Sequence, residues 1–281
     1  MPDDTPPAAT ALTAVDPVPG VAKPDPILVV DGVRRSFGGL RAVAVNHLEI
    51  PRHAITALIG PNGAGKTTLF NLLTGFDTPQ EGRWTFDGAD IAGRSPHRVA
   101  QAGMVRTFQL TKALTRLTVL DNMRLGAMGH PGERLVNALL PGRWRPREMA
   151  VTERAEAMLE RFNLAHMRDE FAGTLSGGQR RLLEMARAMM ADPRLLMLDE
   201  PMAGVNPALT QSLLGHITAL RDEGTTIVFV EHDMDVVMEI SDWVVVLAEG
   251  SVIAEGPPAA IVSNQHVVDA YLGNPEEEET T

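Results

Sequence analysis

Three short stretches carry residues whose types and spacing could act on a polyphosphate. The first is Gly60-Pro61-Asn62-Gly63-Ala64-Gly65-Lys66-Thr67, followed by Thr68. Its glycines let backbone amides curl round phosphate oxygens, and a helix start beyond them presents unpaired N–H groups and a positive dipole end. Lys66 would reach the β- and γ-phosphates, and the Thr67 hydroxyl would ligate magnesium. The second stretch is Leu195-Leu196-Met197-Leu198-Asp199-Glu200. Taken alone an Asp-Glu pair could simply end a strand. Downstream of a phosphate loop, Asp199 would sit by the metal and Glu200 would face the γ-phosphate as general base. The third is Leu175-Ser176-Gly177-Gly178-Gln179, which opens a helix with a serine and two glycines. That is a second anion site without a lysine. It lies 20 residues ahead of Asp199.

The elements around these residues must place them. Ala54 to Ile59 is a short apolar strand running straight into the glycine loop, and Thr68 to Leu73 reads as the helix after it. Strand–loop–helix is the context that confirms a phosphate loop. Upstream, Ile27 to Phe37 alternates like a strand feeding a turn at Gly38-Gly39. Gly82 to Arg94 is mixed and turns at Asp87-Gly88. From about Leu110 to Thr174 the pattern is mainly helical, with a Pro/Gly/Arg-rich interruption near His130 to Arg147. Leu195 to Leu198 and Thr225 to Val230 read as buried strands, separated by a helix from Pro207 to Arg221. Val244 to Leu247 and Ser251 to Ala254 read as a hairpin turning at Glu249-Gly250. Strands alternating with helices predict an α/β fold with a mostly parallel sheet covered on both faces.

Composition narrows the function classes. The chain has 281 residues, 44% hydrophobic and 22% charged, with a net charge of −11. An acidic chain lacks the clustered Lys and Arg that nucleic-acid binding needs, so no nucleic-acid partner is expected. Cysteine is absent, which excludes disulfides, thiolate zinc sites, iron–sulfur clusters and thiol catalysis. No apolar run of about 18 residues offers a spanning helix. The N-terminus lacks the basic start and unbroken apolar stretch of a secretory signal. Residues 1–26, rich in Pro, Ala and Asp, are expected to be a disordered leader. Residues 274–281, with Glu276 to Glu279 in a row, are expected to be a solvated acidic tail.

The combination of these stretches resembles the ATP-binding subunits of ABC transporters, and the resemblance covers about Ile27 to Gly273. It implies a P-loop NTPase core with an antiparallel subdomain on its N-terminal side and a helical subdomain inserted over about 109–174. It also implies roles for further residues. Phe37, 23 residues before Gly60, is similar to the aromatic that stacks on adenine. Gln109 resembles the glutamine that senses magnesium near the membrane-subunit contact, and His232 the histidine that contacts the γ-phosphate. Gly204-Val205-Asn206 corresponds to the dimer-contacting loop, with Asn206 where many members carry Asp. Two subunits would face head to tail, ATP on one loop being completed by Ser176 to Gln179 of the other.

Arg106-Thr107-Phe108-Gln109 and Ala270-Tyr271-Leu272-Gly273 resemble the branched-chain (hydrophobic) amino-acid importer ATPases, as does an insertion at roughly His130 to Thr152. Related urea importers, lipopolysaccharide exporters and soluble ABC ATPases stay as alternatives. The resemblance implies ATP and Mg2+ as cofactors. As partners it implies membrane permease subunits, a second ATPase subunit (identical or different) and, indirectly, a solute-binding protein. The expected location is peripheral, on the cytoplasmic face of the inner membrane.

Overall fold

Apolar residues alternate along both arms of the first hairpin, and the buried ones (Leu28, Val30 and Val33 against Val43, Val45 and Leu48) enter one core. The computed structural model describes residues 11–107, 114–128 and 141–272. These described residues divide into two units, those within Met1–Met104, Arg194–Pro201 and Ile217–Thr281, and those within Val105–Pro193 and Met202–His216.

In chain order the strands are β1 (Pro26–Phe37), β2 (Leu40–Pro51), β3 (Ile55–Ile59), β4 (Glu81–Phe86), β5 (Ala89–Asp90) and β6 (Met104–Arg106). They continue with β7 (Leu195–Asp199), β8 (Thr226–Val230), β9 (Trp243–Ala248) and β10 (Ser251–Gly256). Four of them form a sheet of order β2-β1-β4-β5, antiparallel throughout. The other six form a sheet of order β10-β9-β3-β8-β7-β6. In it β3 runs parallel to β8 and β9, and β7 parallel to β8, while β9 and β10 form an antiparallel hairpin. Every residue of β3 and β8 is buried. That is why these strands read as unbroken apolar runs rather than as alternation.

Helix α1 (Lys66–Leu73) leaves β3 through the glycine loop and buries Leu69, Phe70, Leu72 and Leu73. Each such side chain contributes about 1.5–3 kcal/mol on leaving water. They join Leu28, Trp84, Val228 and Val245 in the core of the first unit. A short helix α2 (Pro96–Gln101) follows β5.

The second unit is helical, with α3 (Val119–Gly126), α4 (Pro141–Arg161) and α5 (Gly177–Met189). Thr118 caps α3, its hydroxyl accepting the Asp121 N–H at 3.0 Å. Buried Leu182, Leu183, Met185 and Ala186 give α5 its inner face. Helix α6 (Pro207–Asp222) contributes residues to both units. Within the second unit Phe162 stacks on His216, ring centroids 4.6 Å apart. Burial beside Arg161 holds the His216 imidazole below its ordinary pKa. The chain ends its described part with α7 (Met234–Ile240), α8 (Pro258–Val262) and α9 (Gln265–Leu272).

Three sequence expectations need correction. The helical unit does not stop at Thr174. It runs to Pro193 and adds Met202–His216, because the inner face of α5 packs among α3 and α4. The interruption near His130 to Arg147 is helical from Pro141 onward, with Pro146 inside α4; residues 129–140 lie outside the described part. Finally, the leader is not free from residue 11 to residue 26. Leu12 is 1% exposed. The side chains of Lys23 and Glu255 pair with no exposure at all. Glu255 also accepts the Gly20 N–H at 2.6 Å and Trp243 Nε1–H at 3.0 Å, and Glu49 accepts the Lys23 N–H at 2.6 Å. One cation and a few apolar residues dock a Pro-rich strap that composition alone reads as solvated. Residues 1–10 and the acidic tail lie outside the described part.

Candidate active site

Register brings the chemistry to one end of the parallel sheet. Leu58 of β3 and Asp199 of β7 both lie opposite Val230 of β8. The chain therefore leaves these three strands side by side, as Gly60, Glu200 and Glu231-His232. Ligands of open α/β sheets bind beyond such carboxyl ends.

The glycine loop passes very close to its neighbours. Gly60 has φ 149°, and a Cβ there would stand 2.0 Å from the Leu247 carbonyl oxygen. Gly65, at φ 97°, caps α1, and its Cβ would stand 2.2 Å from the Ala42 oxygen. Only glycine lets the loop lie against β2 and β9. Ala64 is buried and accepts the Gly250 N–H at 3.0 Å, while its own N–H reaches the Pro61 carbonyl at 3.2 Å. Asn62, Gly63 and Thr67 face outward. Lys66 folds back, Nζ donating to the carbonyls of Gly60 at 2.6 Å and Pro61 at 3.0 Å. Burial lowers its pKa, opposed in part by Glu200 and Asp199.

A cleft of about 600 Å³ opens over the loop, lined by Asn62 to Thr68 together with Glu200, Arg41, Leu40 and Glu249. Glu200 is exposed and has φ 46°, a left-handed conformation uncommon outside glycine. Its N–H donates to the Val230 carbonyl at 3.0 Å, so β8 holds the strained residue in place. Oxygen donors, a lysine and a carboxylate in one cleft suit charge neutralisation at a phosphate and proton acceptance from water.

The other expected residues stand in different places. Asp199 ends β7 next to Glu200, near enough to act on the Lys66 charge. His232 is exposed, its N–H on the Glu231 carboxylate at 3.3 Å, and Phe37 is half-exposed at the end of β1; neither lines the cleft. Ser176 to Gln179 belong to the second unit. There Ser176 Oγ accepts the Gln179 N–H at 3.3 Å, and Gln179 Oε1 accepts the Ser176 N–H at 2.9 Å. This reciprocal cap opens α5. Gly178 must be glycine because a Cβ would stand 1.6 Å from Leu209 Cδ2. Asn206 has a local task, its Oδ1 accepting the Leu209 N–H at 3.0 Å at the start of α6. Asn caps helices about as well as Asp. Gln109 lies outside the described residues. Sequence reasoning missed Arg41 and Glu249; for Glu249 the available signal was the Glu-Gly turn, where φ is 49°.

Comparison with known proteins agrees with this geometry. Residues 44–203 match the ABC transporter family, and residues 251–277 match the family described as branched-chain amino acid ATP-binding cassette transporter. A probable branched-chain amino acid transport ATP-binding protein LivG of Archaeoglobus fulgidus is 43% identical, over 88% of this chain and 95% of its own length. The high-affinity branched-chain amino acid transport ATP-binding protein BraF of Pseudomonas aeruginosa is 43% identical over 88% and 98%. Among solved structures, the ADP conformation of an ATP-binding cassette of an ABC transporter superposes with a TM-score of 0.79. It is 37% identical over 89% of this chain and all of that one. With a phosphate loop and Glu200 in one cleft, and relatives matched over nearly their whole length, the chain belongs to the ABC transporter family as a nucleotide-binding ATPase subunit.

Proposed function

We propose that this chain hydrolyses ATP to energise import of branched-chain or other hydrophobic amino acids. It would sit peripherally at the cytoplasmic face of the inner membrane, beside permease subunits and a second ATPase subunit, with a solute-binding protein delivering cargo. Among the described residues no helix is long and apolar enough to cross a membrane, and the proposal assigns the crossing to the permease. The observation that carries it is the cleft in which Lys66, Thr67 and Glu200 meet, in a chain whose residues 251–277 match the branched-chain transporter family.

The site's chemistry fits a magnesium nucleotide. Thr67 and Asp199 offer the oxygen donors magnesium takes, and nothing stands within 4 Å of where a Gly63 Cβ would be. Bound there, magnesium would neutralise phosphate charge. Lys66 exchanges its loop carbonyls for β- and γ-phosphate oxygens, and Gly60 to Thr68 present amides to them. The Glu200 carboxylate accepts a proton from the attacking water. His232 and Gln109 contact the γ-phosphate region, and Phe37 stacks on the base. Ser176, Gly177, Gly178 and Gln179 of a facing subunit close the site, and hydrolysis reopens it.

Uptake of labelled leucine by cells carrying this chain with its permease tests the proposal. Lys66→Ala and Glu200→Gln should each abolish both uptake and phosphate release. Leucine uptake that survives either substitution would contradict it.

A further inference from the structure

The ring of Phe37 does not stand alone at the end of β1. The Arg35 guanidinium lies over one face, 4.5 Å from the ring centroid, so the opposite face is what is left for a base. Arg35 is itself held by a two-pronged pair. Its Nε donates to Asp77 Oδ2 at 2.9 Å, and Nη2 lies 2.8 Å from Asp77 Oδ1. Both side chains are mostly covered, 24% and 21% exposed, unlike a loose surface ion pair.

Asp77 belongs to the turn after α1. The N–H groups of Phe76 and Asp77 both donate to the Asn71 carbonyl, at 2.8 and 3.1 Å, and Asn71 lies in the helix that begins at Lys66. The backbone beside Phe37 is tied to the same turn. Ser36 N–H donates to Gln80 Oε1 at 2.6 Å, and Gln80 N–H to the Arg34 carbonyl at 2.9 Å. A continuous set of bonds thus runs from the phosphate-loop helix to the back of the aromatic ring.

We propose that Arg35 and Asp77 are positioning residues for the nucleotide: they back the Phe37 ring and fix the span between base platform and phosphate loop. This rests on Phe37 being the base platform. A planar guanidinium can stack on a ring while its fork grips a carboxylate, and a lysine cannot do both. A platform held in place before binding loses less freedom when the base arrives.

The test is calorimetric binding of ADP and of inorganic pyrophosphate to the full chain at constant magnesium. The proteins are wild type, Phe37→Ala, Arg35→Ala, Arg35→Lys, Asp77→Asn and the Phe37→Ala/Arg35→Ala double variant. Arg35→Ala, Arg35→Lys and Asp77→Asn should each weaken ADP by about 3- to 10-fold, as loss of a cation–aromatic contact does. Pyrophosphate, which has no base, should bind all of them as it binds wild type. The double variant should be no weaker than Phe37→Ala alone, because both changes act through one ring. Should Phe37→Ala weaken ADP while the Arg35 and Asp77 variants do not, or should their effects add, the positioning role is overturned and the base platform stands. Equal losses for ADP and pyrophosphate would mean general damage to the fold, and overturn it too. Unchanged ADP affinity in Phe37→Ala removes the platform itself.

Discussion

Glu200 is the proposed general base, and its backbone, at φ 46°, is held left-handed by the bond to Val230. Such residues store about 1–3 kcal/mol and persist where function requires them. Glu200→Gly should therefore raise unfolding free energy by about 1 kcal/mol while abolishing phosphate release. Glu200→Gln should abolish release without that gain. Paired thermal melts and phosphate assays check this; a less stable glycine variant would show that no strain resides there. Residue types and spacing pointed to Gly60 to Thr67 and, with that loop upstream, to Asp199 and Glu200, because phosphate chemistry admits few substitutes at those places. Arg41 was not legible, since only the packing of β2 brings it to the loop; Glu249 was legible as a turn residue but not as a cleft residue, since only the packing of β9–β10 brings that turn there.

Element boundaries were legible where burial is two-sided or a turn is forced. The apolar runs of β3, β7 and β8, the helix after the glycine loop and the hairpin at Glu249-Gly250 all stand within a few residues of their expected limits. The strap of residues 11–25 was hidden because its docking rests on single contacts rather than on a periodic apolar face. Removing residues 1–24 should now destabilise the fold. It leaves Glu255 buried without its counter-charge, and breaking a buried pair costs about 3–5 kcal/mol. Melting temperature should fall by roughly 5 °C or more, and Lys23→Met should reproduce most of the loss. An unchanged melt would mean that the strap is passive.

The neighbouring strands carry a titrating group. His47 Nδ1 lies 2.6 Å from Asp31 and Nε2 lies 3.2 Å from Glu49; Glu49 in turn holds the Lys23 N–H. Burial disfavours the charged imidazole, but both carboxylates outweigh it and the pKa is raised above 6.5. A raised folded value stabilises the protein fully below 6.5, and that stability disappears as pH climbs through the folded pKa. Urea midpoints should thus fall as pH rises past 6.5, and His47→Gln should flatten that part of the profile. Equal slopes in the two proteins would exclude His47 as the source.

At the scale of the whole molecule, the account requires two subunits for one reaction. The cleft over Gly60 to Thr68 holds a lysine and two carboxylates, and Ser176 to Gln179, which cap a helix of the other unit, are proposed to complete the cleft of a facing subunit. In the proposed mechanism closure needs phosphate contacts, while turnover needs the Glu200 base. The most direct measurement is light scattering on Glu200→Gln at several protein concentrations, with ATP and magnesium or with ADP, alone and with the partner ATPase subunit. The account predicts a dimer that accumulates with ATP, reverts to monomer with ADP, and fails to form when Ser176→Arg is added. Association that ignores nucleotide, or a dimer indifferent to Ser176→Arg, would contradict it.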